Sequence, residues 1–123
     1  ADVYNNYKWC ENIALLGYVG KEEIVRQFNS CRALLFPSRI ETLGLPLLEA
    51  ASLGKFIIAS DLIYARETLS EYENVDFVDP KNPREWGIKL IKTTKDENVT
   101  LAKRLPRNDS WASFIKLIHT IIN

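Results

Sequence analysis

Short, mainly apolar runs alternate with amphipathic stretches over most of the chain. The runs lie at residues 13–16, 33–36, 56–59 and 75–78 and are bounded by glycine, proline or polar residues. Runs of this length and setting are typical of buried strands. The stretches between them place apolar residues at helical spacing. We predict helices at 21–30, 46–53 and 64–70, and a fourth from 82 through 90.

The alternation of strands and helices determines the predicted fold class. Strands recur about every 20 residues with a helix between them, as in a parallel sheet with right-handed crossovers. We therefore predict an α/β fold, a Rossmann-like open parallel sheet of about four or five strands with flanking helices. Ligands bind such sheets at the carboxyl ends of the strands. A functional site is expected in the loops that follow the strands.

The last quarter of the chain has a different pattern. Residues 96–107 are polar and include Pro106, which favours a connector. Residues 108–123 begin with capping residues and predict an amphipathic helix. Its apolar face would comprise Trp111, Phe114, Ile115, Ile118, Ile121 and Ile122. We thus predict a single partial domain with a core at 12–95, a connector at 96–107 and a C-terminal helix at 108–123.

Composition and charge narrow the function classes. The chain has 123 residues with 46% hydrophobic content, enough for one core. Lys plus Arg and Asp plus Glu both number 16, so no net charge favours nucleic acid or a membrane surface. No apolar run is long enough to span a bilayer, and the N-terminus does not resemble a signal peptide. We expect a cytoplasmic protein without nucleic-acid partners.

The reactive side chains give few candidates for catalysis or metal binding. Cys10 and Cys31 lack metal-ligand spacing and nearby histidines, so reduced thiols are expected. His119 is the only histidine, and its place on the terminal helix favours a surface or packing role. We therefore predict no metal site. The absence of methionine fits an excised piece of a longer protein.

The richest motif lies at residues 37–50. Pro37 ends the second apolar run, Gly44 permits a positive φ or close approach of a ligand, and Pro46 suits the first turn of a helix. The loop therefore ends at a helix N-terminus. Its backbone N–H groups and the positive end of the helix dipole form a site suited to a phosphate.

Two glutamates lie on either side of this turn. Glu49 falls about one helical turn after it, and helical side chains lean back toward the N-terminus. Its oxygens could accept hydrogen bonds from the two hydroxyls of a ribose. Glu41 would accept from hydroxyls of a sugar at the other end of a pyrophosphate-linked ligand. In the alternative interpretation, Glu49 only complements the helix dipole and Glu41 is a solvated loop charge.

A wider segment resembles a known family. Phe36-Pro37-Ser38, the run from Glu41 to Ala50 and the run from Gly54 to Ser60 resemble the donor-binding half of retaining glycosyltransferases of the GT-B fold, specifically glycosyltransferase family 4. That family has Pro-Ser, Glu-Gly-Phe-Gly-Leu-Pro, Leu-Glu-Ala and a glycine before an apolar strand. Its two glutamates are separated by seven residues, as Glu41 and Glu49 are here. The resemblance covers about residues 12–90.

This chain departs from the family pattern at two points. Thr42 and Leu43 replace Gly-Phe, whereas Gly44 keeps the turn. The family's Arg and Lys for the donor pyrophosphate lie earlier in the domain than this chain begins. Lys8 and Arg39 do not lie in that pattern, so the role is not transferred to them.

The resemblance implies site residues and a reaction. Glu41 would be the catalytic-site carboxylate. The donor would be bound by Glu49, Gly44, Leu45, Thr42, Leu43, Tyr18 and Val19. Tyr18 and Val19 fall in the loop expected near the nucleotide base, although an ordinary strand-to-helix turn explains the flanking glycines equally well. Glu67 ends a further loop as a donor-site or structural residue, and an N-cap at Ser60 or Asp61 is the simpler explanation of that segment.

The implied function is transfer of a hexose from a UDP-, GDP- or dTDP-sugar to a glycan or lipid-linked acceptor, in capsular or other surface polysaccharide biosynthesis. The transition state would be oxocarbenium-like, with no metal or cofactor required. The acceptor would bind a missing N-terminal domain, so this chain alone should fold but transfer little sugar. Peripheral membrane association of the full protein stays open. The alternative is a non-catalytic Rossmann or flavodoxin-like nucleotide-binding or interaction module.

Overall fold

A computed structural model describes residues 5–6 and 9–96 of the chain. It contains four helices, α1 (Lys21–Ser30), α2 (Leu45–Ser52), α3 (Ile63–Thr68) and α4 (Pro83–Lys95), and three strands, β1 (Ala33–Phe36), β2 (Phe56–Ser60) and β3 (Val75–Val78). These elements confirm the predicted helices and three of the predicted strands. The predicted C-terminal helix and His119 lie outside the described residues. None of the described helices is long and apolar enough to cross a membrane.

The three strands form one parallel sheet in the order β1-β2-β3. In the register, Leu34 and Val75 both pair with Ile57, one on each side of the central strand. Each connection between neighbouring strands contains a helix, as a parallel sheet requires. The chain therefore has the predicted α/β architecture of an open Rossmann-like sheet, with three strands in the described residues where four or five were expected.

The predicted strand at residues 13–16 does not join the sheet. These residues have no regular secondary structure, and their apolar side chains are largely exposed, with 45% of Ile13, 48% of Leu15 and 51% of Leu16 accessible. The Ile13 amide donates to the Cys10 carbonyl at 3.1 Å in a turn rather than to a strand. An apolar run predicts a strand only when a neighbour is placed to receive its hydrogen bonds. The prediction was wrong here for that reason.

The larger hydrophobic cluster lies on one face of the sheet. Ile57 and Ala59 point to this face from β2, because side chains alternate along a strand, and α2 and α3 cover it. The buried cluster on this face consists of Leu47, Ala50, Ala51, Ile57, Ala59, Ala65, Leu69 and Tyr72. Ile58 and Val78 are fully buried on the opposite face. The helix α4 packs on β2 and β3, and its Lys89 forms a salt bridge with Asp76 at 3.0 Å. Helices that pack on both faces of the sheet therefore hold the ends of its strands in place.

The carboxyl ends of the strands bring three loops to one edge of the sheet. The loop after β1 runs through residues 37–44 into α2, and Asp61 follows β2 and leads into α3. Asp79 and Pro80 follow β3. Since the strands are parallel, these segments share the edge at which open α/β sheets bind ligands. This edge carries the predicted site.

Candidate functional site

The turn at Gly44 has the predicted geometry. Its φ of 58° and ψ of 51° lie in the left-handed region, and it precedes α2 directly, with Pro46 in the first turn. The Gly44 carbonyl accepts from the Leu47 amide at 2.9 Å. No side chain caps this end of the helix, so the positive end of the α2 dipole is not neutralised by a capping side chain.

Gly44 is also closely packed. A Cβ atom at this position would lie 3.0 Å from Leu47 Cδ1 and 3.5 Å from Tyr64 Cε2. Gly44 therefore leaves the backbone uncovered by a side chain where α2 begins. Leu47 and Tyr64 leave no room for a Cβ atom at this position. Both the φ angle and the contact favour glycine.

Glu49 lies on α2, four residues after Leu45, and its side chain is exposed. Within the described part of the chain, its carboxylate has no hydrogen-bond or salt-bridge partner. An ionised carboxylate in this state keeps both oxygens available as acceptors. The structure therefore places Glu49 one turn into the helix, as predicted, with its acceptor capacity unused.

Glu41 is exposed in the loop after β1 and is held by its neighbour Ser38. Ser38 Oγ lies 3.1 Å from Glu41 Oε1 and 3.2 Å from the Ile40 carbonyl oxygen. A hydroxyl has one proton to donate, and a charged carboxylate is the stronger acceptor. One edge of the Glu41 carboxylate is therefore fixed to the loop, and the rest faces solvent.

The helix α3 braces the same loop from two positions. Tyr64 Oη donates to the Ser38 carbonyl at 2.7 Å, and Thr68 Oγ1 donates to the Leu43 carbonyl at 3.1 Å. Burial and the charge of Glu41 raise the pKa of Tyr64, while its hydrogen bond with Ser38 acts in the opposite direction. Tyr64 thus contacts the backbone of this loop at one end and Gly44 at its ring.

Sequence reasoning missed Tyr64. It singled out Glu67 from the same segment, and Glu67 is exposed on α3. The signal that could have found Tyr64 was an aromatic residue with a polar tip at the carboxyl edge of the sheet, since such a side chain packs its ring and uses its hydroxyl.

The start of α3 differs from the expected cap. The residue before its first turn is Leu62, and no side chain caps it, so the predicted N-cap at Ser60 or Asp61 was wrong. Asp61 instead pairs with Arg66 through two guanidinium nitrogens, with 2.9 Å between Nη2 and Oδ2. The Arg66 hydrogen bond lowers the pKa of Asp61. The guanidinium also lies 4.6 Å from the centroid of the Phe77 ring, which ties α3 to β3.

The other predicted donor-binding residues are more loosely placed. Thr42, Leu43 and Leu45 are exposed around the Gly44 turn. Tyr18 is fully exposed and Val19 is half-buried in the loop before α1. The structure brings Glu41, Gly44 and Tyr64 together, whereas Tyr18 packs against none of the described residues.

Two cations near the sheet have structural roles. Lys55 Nζ donates to the Asn29 and Cys31 carbonyls, each at 2.9 Å, at the end of α1. Arg32 Nη2 donates to the Asp96 carbonyl at 3.0 Å, at the end of α4. Cations at helix C-termini satisfy the last carbonyls. Over the described ranges, no group of three or more His, Cys, Asp or Glu side chains is placed to hold a metal ion.

Two tyrosines make stability depend on pH in the alkaline range. Burial raises the pKa of both Tyr64 and Tyr72 above the ordinary value of 10.0. In the unfolded chain they lose their protons first, so above about pH 10 the folded state holds more protons and the free energy of unfolding falls as pH rises. We expect urea denaturation between about pH 8 and about pH 11 to show this fall. In a Tyr64→Phe/Tyr72→Phe variant, the free energy of unfolding should fall less steeply with pH. An equally steep fall in the variant and the unsubstituted chain would contradict the expectation.

Comparison with known proteins identifies the family of this chain. The family model "Glycosyl transferases group 1" matches residues 4–109. O-antigen chain mannosyltransferase B of Escherichia coli is 28% identical over 86 residues, which cover 70% of this chain and 22% of the relative. No solved structure matches the chain significantly. Since the family model covers most of the sequence, the chain belongs to the glycosyl transferases group 1 family.

Proposed function

We propose that this chain is the donor-binding domain of a retaining glycosyltransferase of the GT-B fold, in glycosyltransferase family 4. The observation that carries the proposal is the pair Glu41 and Glu49 on either side of Gly44, whose left-handed turn opens α2 at the carboxyl edge of the sheet. In a glycosyl transferases group 1 chain, this arrangement suits a ligand with a phosphate at its centre and hydroxyls at both ends.

Each part of the site has a chemical role in the proposal. The uncapped end of α2 faces the pyrophosphate, because its dipole and amides favour negative charge. Glu49, with both oxygens unused, accepts from the ribose hydroxyls. Glu41 accepts from hydroxyls of the transferred sugar with the lone pairs that Ser38 leaves open. Thr42, Leu43 and Leu45 line the turn, and the loop at Tyr18 and Val19 meets the base.

The reaction proposed is transfer of a hexose from a UDP-, GDP- or dTDP-sugar to a glycan or lipid-linked acceptor in surface polysaccharide biosynthesis, in the cytoplasm. The name of the E. coli relative, a mannosyltransferase of the O-antigen chain, supports a hexose and a polysaccharide product. The transition state is oxocarbenium-like, and no cofactor takes part. This chain spans about a fifth of the length of that relative. Acceptor binding is assigned to a further domain, and the cations for the pyrophosphate to residues earlier in the donor-binding domain, so this chain alone transfers little sugar.

The test is a titration of ¹⁵N-labelled chain with UDP-glucose, GDP-mannose and dTDP-glucose, followed by NMR. One nucleotide series should shift amide signals across residues 41–49 and in the loop at residues 18–19, with weak affinity. The matching nucleoside diphosphate should shift the start of α2, Glu49 and the loop at residues 18–19, but not Glu41. Glucose and mannose without a nucleotide serve as controls. Shifts confined to other regions, or none with any of the three donors, would refute donor binding at this turn.

A further inference from the structure

We propose that Tyr64 is a positioning residue that orients Glu41 through Ser38. This inference rests on the proposed function, in which Glu41 contacts the transferred sugar. It assigns a task in donor recognition to a side chain that does not itself need to touch the donor.

The connection consists of two hydrogen bonds in series. Tyr64 Oη holds the Ser38 carbonyl at 2.7 Å, and Ser38 Oγ lies 3.1 Å from Glu41 Oε1. The first bond fixes the backbone from which the second is made. Because Ser38 Oγ is also 3.2 Å from the Ile40 carbonyl, a small rotation of this backbone would direct its single proton to the wrong acceptor.

Tyr64 is itself held rigidly. Its ring approaches the Gly44 turn, with Cε2 3.5 Å from the position of a Cβ atom there, and it packs against the buried core. The next residue, Ala65, is fully buried. Burial is the main cause of the raised pKa of Tyr64, and the charge of Glu41 raises this pKa further, as expected for two groups that lie close together. One side chain therefore couples the phosphate end of the site at Gly44 to the sugar end at Glu41.

The chain offers a matched control in Tyr72. Its hydroxyl also donates to a backbone carbonyl, that of Lys55, at 2.6 Å. Tyr72 is buried in the core, and Lys55 precedes the amino end of β2. That end is opposite the edge that carries the candidate site. Tyr72→Phe thus removes the same chemical group in a place that cannot orient Glu41.

The experiment compares affinities for a nucleotide sugar and for its nucleoside diphosphate, using UDP-glucose with UDP, GDP-mannose with GDP and dTDP-glucose with dTDP. Tyr64→Phe should weaken binding of the nucleotide sugar about five- to tenfold, because the bond it removes is an ordinary one to the neutral Ser38 carbonyl. Binding of the diphosphate should be unchanged, since Glu41 meets only the sugar. Tyr72→Phe should change neither affinity, although it lowers stability. In a Glu41→Ala background, Tyr64→Phe should have no further effect.

Several results would overturn the inference while leaving donor binding intact. One is that Tyr64→Phe weakens binding of the nucleotide sugar and of the diphosphate equally. Another is that Tyr64→Phe and Tyr72→Phe have the same affinities, and a third is that the losses of affinity from Tyr64→Phe and Glu41→Ala add. If Tyr64→Phe does not fold, Ser38→Ala breaks the same connection and should reproduce the selective loss, and no loss would overturn the inference. Failure of the unsubstituted chain to bind any of the three pairs refutes the proposed function and this inference together.

Discussion

Replacing Glu49 by Gln should weaken nucleotide-sugar binding about tenfold to a hundredfold. The carboxylate has no partner in the described part of the chain, so in the proposed complex its oxygens meet the ribose hydroxyls. A hydrogen bond to a charged group contributes about 1.5–3 kcal/mol. Gln keeps the length of the side chain and one acceptor oxygen but removes the charge. The measurement is a dissociation constant for the preferred nucleotide sugar, from NMR or calorimetry.

The same substitution separates the proposed function from its alternatives. If Glu49 only complemented the α2 dipole, Glu49→Gln would lower stability by about 0.3–1 kcal/mol at most and leave binding unchanged. The non-catalytic module also predicts unchanged nucleotide-sugar binding. Glu22→Gln is the matched control, because Glu22 is an exposed glutamate in the first turn of α1. Equal affinities of the two variants and the unsubstituted chain would exclude a ribose contact by Glu49.

The fold could be predicted from sequence wherever local chemistry and tertiary context agree. Strands β1 and β3 have the predicted bounds, because proline and polar residues end their apolar runs. The run at 13–16 has equally strong apolar character, yet within residues 9–96 it pairs with no strand. Hydrophobicity measures the tendency to be buried, whereas a strand also needs a neighbour at hydrogen-bonding distance. That neighbour is not encoded in the run itself.

In the candidate site, too, some features follow from local sequence and others depend on tertiary contacts. Gly44 and the start of α2 were predictable because a positive φ and a proline in the first turn are local requirements. The contact of Tyr64 with Ser38 joins residues 26 positions apart, and no local pattern specifies it. It arises because parallel strands bring the loops after β1 and β2 to one edge. Sequence therefore indicated the groups proposed to meet the donor, and the structure was needed to find the side chain that holds them.

The second large effect is expected at Gly44, where Ala should cost about 1–3 kcal/mol of folding free energy. A residue with a Cβ pays about 1–2 kcal/mol for the left-handed region, and the new methyl would lie 3.0 Å from Leu47 Cδ1. Leu47 is fully buried in the core, so it has little freedom to move away. Urea denaturation of the variant gives the loss directly from the midpoint and slope.

Two other glycines separate the causes of that loss. Gly17 has a φ of 63°, and no atom lies within 4 Å of the place that a methyl group would occupy, so Gly17→Ala carries backbone strain without a clash. Gly87 lies within α4 in equally open space, and Gly87→Ala should stabilise the fold by about 0.5–1 kcal/mol. The excess of Gly44→Ala over Gly17→Ala then measures the contact with Leu47.

The Gly44 variant should also lose donor affinity, because the displaced atoms belong to the site. A methyl group there presses on Leu47 in the first turn of α2 and lies 3.5 Å from the Tyr64 ring, so both the helix end and the support of Glu41 shift. Unlike Tyr64→Phe, it should therefore weaken binding of the nucleoside diphosphate as well as of the nucleotide sugar. A Gly44→Ala chain that loses no more stability than Gly17→Ala and binds both ligands normally would show that the turn tolerates a side chain, and that its glycine is not required by the donor.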